Sequence, residues 1–187
     1  RELVNKVKHL SNKNPWLVVG KKTSSTYFMS IIFIYIWNLN NFGNLNVIET
    51  IISRDIINDL KDYAIIIVDD ISYTGGQIYQ YLNYVKQEST TYELFYSLKI
   101  NICFVGATKR AIKLIKNHSH INLYVTKIYD NLYDILDIEE YMDIIYYFAP
   151  VNFHGPAISL YLDHKIADSV STFLRVLEYG PVLPTNL

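Results

Sequence analysis

Residues 64–68, Ala-Ile-Ile-Ile-Val, are apolar at every position, and two acids, Asp69 and Asp70, end the run at once. A strand with one face in water alternates apolar and polar residues. A run without alternation must be covered on both faces, as in a parallel sheet held between helices. The rest of the chain repeats the theme. Trp16, Leu17, Val18 and Val19 form a short apolar run closed by Gly20, and residues 100–105 and 121–125 read as further strands. Helical spacing recurs between them: in residues 1–10 through Leu3, Val4, Val7 and Leu10, and after an N-cap at Ser24 or Ser25 through Phe28, Ile31, Ile32 and Ile36. It recurs again over residues 47–60, over 77–86 through Ile78, Leu82 and Val85, over 108–116 and near 132–146. Residues 38–46 read as a turn-rich break. Strands alternating with helices predict an α/β domain: an open parallel sheet of four or five strands with helices on both faces. The whole chain, 1–187, reads as one domain with its core in about 1–130. From Pro150 the alternation breaks, and residues 158–162 look like one last strand.

Composition narrows the partners. With 17 Lys+Arg against 18 Asp+Glu the net charge is −1, which leaves no broad field for nucleic acid or an anionic membrane. The single cysteine, Cys103, excludes a disulfide-stapled secreted scaffold. Residues 23–46 carry no charge, and their apolar heart at 27–37 is too short to span a bilayer. No signal peptide is visible, so an intracellular, cytoplasmic setting is expected. The chain opens on Arg1 rather than Met, which reads as a processed product or a domain of a longer polypeptide. Ile (26), Tyr (17) and Asn (16) make up 59 of 187 residues; their A/T-rich codons point to an AT-rich genome, such as that of a large DNA virus or a protist, and not to any chemistry.

Chemistry concentrates in Asp69-Asp70-Ile71-Ser72-Tyr73-Thr74-Gly75-Gly76-Gln77. A buried strand fixes two carboxylates at its end. Thr74-Gly75-Gly76 permits a tight turn in which backbone N–H groups converge, and the following helix aims its unpaired N–H groups into the same turn. A phosphate there would gain ~1.5–3 kcal/mol from each charge-assisted bond against ~2 kcal/mol at most from the helix dipole, so turn geometry dominates. Two carboxylates ~4 Å apart repel by ~4 kcal/mol at an effective dielectric near ~20, so they call for sugar hydroxyls or a divalent cation. A phosphate seat beside two hydroxyl acceptors describes a pocket for a ribose phosphate, provided both acids sit on its rim.

This segment resembles the phosphoribosyl-pyrophosphate (PRPP) motif of type I phosphoribosyltransferases: an apolar strand, two acids, a short spacer, then Thr-Gly. The resemblance implies that Asp69 and Asp70, the catalytic residues of this reading, bind the ribose hydroxyls. It implies that Ser72, Tyr73, Thr74, Gly75, Gly76 and Gln77 surround the 5-phosphate. Gly20, Lys21, Lys22, Thr23 and Ser24, at the end of an early strand, fall where such enzymes bind pyrophosphate; the competing reading is a solvated lysine pair and an N-cap. The C-terminal segment, 131–187, falls where such enzymes build a small hood over the base, with Tyr161, Asp163 and Lys165 as candidate base contacts. Mg²⁺, held mainly by substrate, is the implied cofactor. PRPP and a small nitrogenous base or nucleotide are the implied ligands, and a homodimer is left open. No protein metal site is read, since Asp163-His164 lacks further ligands and Cys103 lies in a strand.

Three departures bear on activity. Tyr73 stands where the purine-salvage branch has Asp. Gln77 replaces a hydroxyl residue at the end of the motif. Residues 47–62 lack glycine and suit an ordered helix better than the closing loop of the family. An inactive PRPP or nucleotide sensor, or an interaction module on the same fold, is therefore the alternative. A receiver domain fails because residues 104–107 supply no acceptor Asp. A P-loop fails because position 15 is Pro and Lys22 stands where Ser or Thr is needed.

Overall fold

The apolar runs become five parallel strands in a computed structural model, which describes residues 1–20, 24–49, 54–72 and 75–130. The strands are β1 (Trp16–Val19), β2 (Asn46–Glu49), β3 (Ala64–Ser72), β4 (Lys99–Thr108) and β5 (Asn122–Tyr129), in spatial order β2-β1-β3-β4-β5. β3 takes the centre because it is apolar on both faces. Ile65, Ile67, Ile100, Ile102 and Val18 enter one core; Ala64, Ile66, Val68, Cys103, Leu17 and Val19 enter the other.

Helices cover both faces. α1 (Glu2–Val7) and α2 (Ser25–Leu39) lie on one, supplying Leu3, Val4, Val7, Phe33 and Trp37. α3 (Arg54–Leu60), α4 (Gly76–Glu88), α5 (Tyr92–Ser97) and α6 (Lys109–Lys116) lie on the other, supplying Ile57, Leu60, Ile78, Leu82, Val85, Phe95 and Ile115. Hydroxyl caps set the helix starts: Ser24, Thr91 and Thr108 accept from the backbone N–H of Tyr27, Leu94 and Ala111. The α2 face is locked by Trp37, which stacks on Phe33, meets Phe42 edge-on and donates from its Nε1 to the Gly43 carbonyl at 3.0 Å. Burial pushes the Cys103 thiol far above its usual range. Among the described residues no helix is long and apolar enough to cross a membrane.

Several expectations change. Residues 47–60 are not one helix: Asn46–Glu49 is β2, paired in register with β1 from Trp16↔Asn46 to Val19↔Glu49, and α3 begins only at Arg54. Four residues are too few for periodicity to separate strand from helix. The first helix ends at Val7 and tightens into a 3₁₀ helix, Lys8–Lys13, closed by Asn14 in the left-handed conformation. β3 runs on through both acids to Ser72, and α5 is an unforeseen short helix. The expected helix at 132–146 and the C-terminal hood lie outside the described residues.

Candidate functional site

β1 and β3 are neighbours, paired from Trp16↔Ile65 to Val18↔Ile67, yet the chain leaves them toward opposite faces. β1 feeds α2 on one side of the sheet, and β3 feeds α4 on the other. Adjacent parallel strands that diverge in this way open a crevice beyond their carboxyl ends, where ligands of α/β sheets bind. A cavity of about 260 Å³ occupies that place, lined by Val18, Val19, Gly20, Ser24, Thr26, Ile67, Asp69, Gln77, Ile78 and Tyr81. Two segments that are 49 residues apart in sequence, at Gly20 and Asp69, thus share one wall.

Each wall has a local cause. Gly20 is required by close approach: a Cβ there would lie 2.7 Å from Ser24 Oγ and 2.9 Å from Thr26 Cβ. Asp69 is held by the pairing of β3 with β4, Asp69 opposite Phe104, and is 8% exposed. Its Oδ1 accepts from the Asp70 N–H at 3.0 Å. Gln77 lies in the first turn of α4, and Tyr81 sits four residues on, on the same helix face. Gly75 turns the chain from β3 into α4 with φ of +77°, a left-handed conformation that glycine adopts without strain. α4 thereby starts beside the crevice, with Gln77 of its first turn in the wall.

The two acids do not share a rim, contrary to the condition drawn from the sequence, and the crevice keeps one of the two expected hydroxyl acceptors, Asp69. Because β3 remains extended to Ser72, period-two alternation sends Asp69 to the α4 side with Ile65 and Ile67, and Asp70 to the α2 side with Ile66 and Val68. Asp69 lines the cavity; Asp70 is half-buried and its Oδ1 accepts from the Ile71 N–H at 2.7 Å. Ser72 is the last, buried residue of β3, opposite Ala107. Gly76 borders a second cleft of about 410 Å³, with Arg110, Lys113, Leu114 and Asn117 of α6.

The crevice therefore brings together Gly20, Ser24, Asp69 and Gln77 of the sequence-predicted residues. Lys21, Lys22, Thr23, Tyr73, Thr74, Tyr161, Asp163 and Lys165 lie outside the described residues. Thr26 and Tyr81 escaped the sequence reading, although Tyr81 follows Gln77 at helical spacing. Arg110 and Lys113 escaped because nothing local ties α6 to the start of α4. Among the described residues no three His, Cys, Asp or Glu side chains group to hold a metal ion. The cavity offers hard oxygen donors, one carboxylate and the hydroxyls of Ser24 and Thr26. That set is too small for an all-protein cage but fits a Mg²⁺ held mainly by substrate oxygens.

Fold and crevice define a class: a doubly wound α/β domain with an acid at the end of its central strand and a glycine-turned helix beside it. The model of the PRTase-CE family matches residues 9–165. The chain belongs to that phosphoribosyltransferase-like family. No curated protein matches it.

Proposed function

We propose that this domain transfers a 5-phosphoribosyl group from PRPP to a nitrogenous base and releases pyrophosphate. The observation that supports this reading is the crevice between β1 and β3, where Asp69 faces Gly20 and Ser24 beside the start of α4. The 5-phosphate is held by the N–H groups and the Thr74 hydroxyl of the turn into α4. Asp69 accepts from a ribose hydroxyl, and Asp70, on the other side of the strand, orients the turn through the Ile71 N–H and meets the ribose only at its edge. Gly20, Lys21, Lys22, Thr23 and Ser24 receive the diphosphate, and Arg110 and Lys113 add positive potential behind the turn. Mg²⁺ brought with the substrate supplies neutralisation of the leaving diphosphate. The bond from C1 of the ribose to the diphosphate oxygen breaks, its electron pair leaving with that oxygen. A bond from C1 to the acceptor nitrogen forms, and the acceptor's proton passes to the leaving diphosphate or to water. The chain's contribution is positional and electrostatic.

Titration calorimetry with PRPP and Mg²⁺, followed by pyrophosphate release with a panel of bases, tests the reading. Asp69→Asn is expected to weaken PRPP binding by about tenfold or more, the loss of a charged hydrogen bond worth ~1.5–3 kcal/mol. Asp70→Asn is expected to weaken it less. Binding without release for any base replaces the transferase by a PRPP sensor, and absence of binding overturns both.

A further inference from the structure

Between Glu93 and Asp130 the chain carries no acid, against six cations: Lys99, Lys109, Arg110, Lys113, Lys116 and Lys127. Three of them are engaged. Lys99 Nζ donates to the Asp62 carbonyl at 3.3 Å, Lys109 pairs with Asp130, and the Lys127 ammonium stands 5.3 Å from the centre of the Tyr129 ring. Arg110, Lys113 and Lys116, all on α6, have no side-chain ion pair or hydrogen bond among the described residues. Arg110 and Lys113 line the cleft of about 410 Å³ that Gly76 borders, together with Leu114 and Asn117. Lying three, four and seven residues beyond Arg110, Lys113, Leu114 and Asn117 share its face of the helix. The set runs about 10 Å along the axis. Leu114, which also packs on Gly75, gives the cleft an apolar wall, and Asn117 puts an amide at the far end. None of this lining belongs to the crevice between β1 and β3.

We propose that this cleft is a second ligand site, for a nucleoside di- or triphosphate, with the phosphates on Arg110 and Lys113 and the base at Leu114 and Asn117. The assignment does not rest on the PRPP reading of the crevice. Two unpaired cations one helical turn apart suit neighbouring phosphates, the guanidinium as a two-pronged donor and the ammonium as a point charge. A single phosphate would leave Leu114 and Asn117 uncovered, whereas a nucleotide fills a cleft of this size, which is ordinary for a small-molecule pocket. The Asn117 amide both donates and accepts, as the edge of a base requires. Nucleic acid fits less well, because a strand is followed by a track of cations along its phosphates. Of the six in this segment only Lys116 is left unpartnered outside the cleft. Gly76 borders the cleft and Gln77 the crevice, so the first turn of α4 stands between the two ligands.

Titration calorimetry of the full chain with ATP, GTP, CTP and UTP, and with inorganic tripolyphosphate, tests this. At least one nucleoside triphosphate is expected to bind, and more tightly than tripolyphosphate, which has the phosphates but no base. Arg110→Gln combined with Lys113→Gln is expected to weaken that binding by more than about tenfold, since two charge-assisted bonds are lost. Far-UV circular dichroism checks that the double variant folds; should it lose helix content, Lys113→Gln alone carries the test. Asn117→Ala should weaken the nucleotide and leave tripolyphosphate unchanged. Lys116→Gln, which removes a charge of the same helix outside the cleft, and Asp69→Asn, which alters the crevice, are both expected to bind the nucleotide as the wild type does. The proposal is overturned if no triphosphate binds, or if Lys116→Gln weakens binding as much as the double variant, which would mean a diffuse field. Loss of binding in Asp69→Asn alone also overturns it, because the ligand would then sit in the crevice. So does tripolyphosphate binding as tightly as every nucleotide, or an RNA oligonucleotide binding more tightly than any of them.

Discussion

Gly75 concentrates the demands of the site in one backbone. Its φ of +77° is one that other L-residues adopt at a cost of roughly 1–2 kcal/mol. A Cβ there would also stand 3.2 Å from the Cα and the carbonyl oxygen of Ala111, backbone atoms of α6 that cannot swing aside as a side chain would. Gly75→Ala is therefore expected to lower stability by about 2 kcal/mol in urea denaturation. On the proposed function it should weaken PRPP binding as well, because relieving the contact shifts the turn proposed to seat the phosphate. Equal stability of variant and wild type would show that the turn relaxes freely. This glycine was legible in the sequence, since an apolar run, two acids and Thr-Gly-Gly are local signals. The parting of Asp69 and Asp70 was not. It depends on how far β3 stays extended, which is set by pairing Ile71 with Gly106 and Ser72 with Ala107, partners 35 residues away.

Elements were legible where periodicity had room to declare itself. The apolar heart of β3 and the inner face of α4 follow from their own residues; the inner face of α2 does not, because Phe28 and Ile31 of the expected pattern are exposed and Phe33 and Trp37 are buried instead. β2 needed its neighbour: four residues read as a helix until the edge of β1 supplies the hydrogen bonds. α5, six residues long, owes its place to burying Phe95, and the short pattern gives little warning of that. One polar residue ties three strands in a way that no local reading reveals. Asn101, the third residue of β4 and 1% exposed, donates from Nδ2 to the carbonyls of Ile65 and Lys99 at 3.2 and 2.8 Å. Its Oδ1 accepts from Asn122 Nδ2 at 3.2 Å, so β3, β4 and β5 meet in one side chain. Asn101→Ala removes these bonds and opens a void in the core, at an expected cost of about 2–4 kcal/mol. Asn122→Ala, at an exposed position, should cost under about 1 kcal/mol. Chemical denaturation of the two variants checks the ranking; similar losses would mean that the bonds of Asn101 to the Ile65 and Lys99 carbonyls contribute little beyond the bridge to Asn122.

At the scale of the molecule, a group packed far from the crevice still bears on the stability of the fold. His118 and His120 are such groups. His118 packs on Tyr79 at 5.5 Å between ring centroids, and His120 on Phe95 and Tyr96 at 4.7 and 4.8 Å. His118 Nε2 and both ring nitrogens of His120 have no hydrogen-bond partner among the described residues. Burial, and then the positive charge of Lys86, holds the His118 pKa below its ordinary 6.5. Burial, and then His118 itself, does the same for His120. A depressed histidine pKa means that the unfolded chain binds protons that the folded chain refuses. Stability is therefore full above pH 6.5, where both states are neutral, and falls as pH drops from 6.5 toward the folded values. The thermal midpoint is expected to decline between about pH 7 and about pH 5, more steeply than carboxylate titration alone would give at that end. His120→Phe, which keeps a ring against Phe95 and Tyr96 but takes up no proton, should show a shallower decline over the same interval. If wild type and variant lose stability in parallel, the histidine pair is not the source of the acid sensitivity.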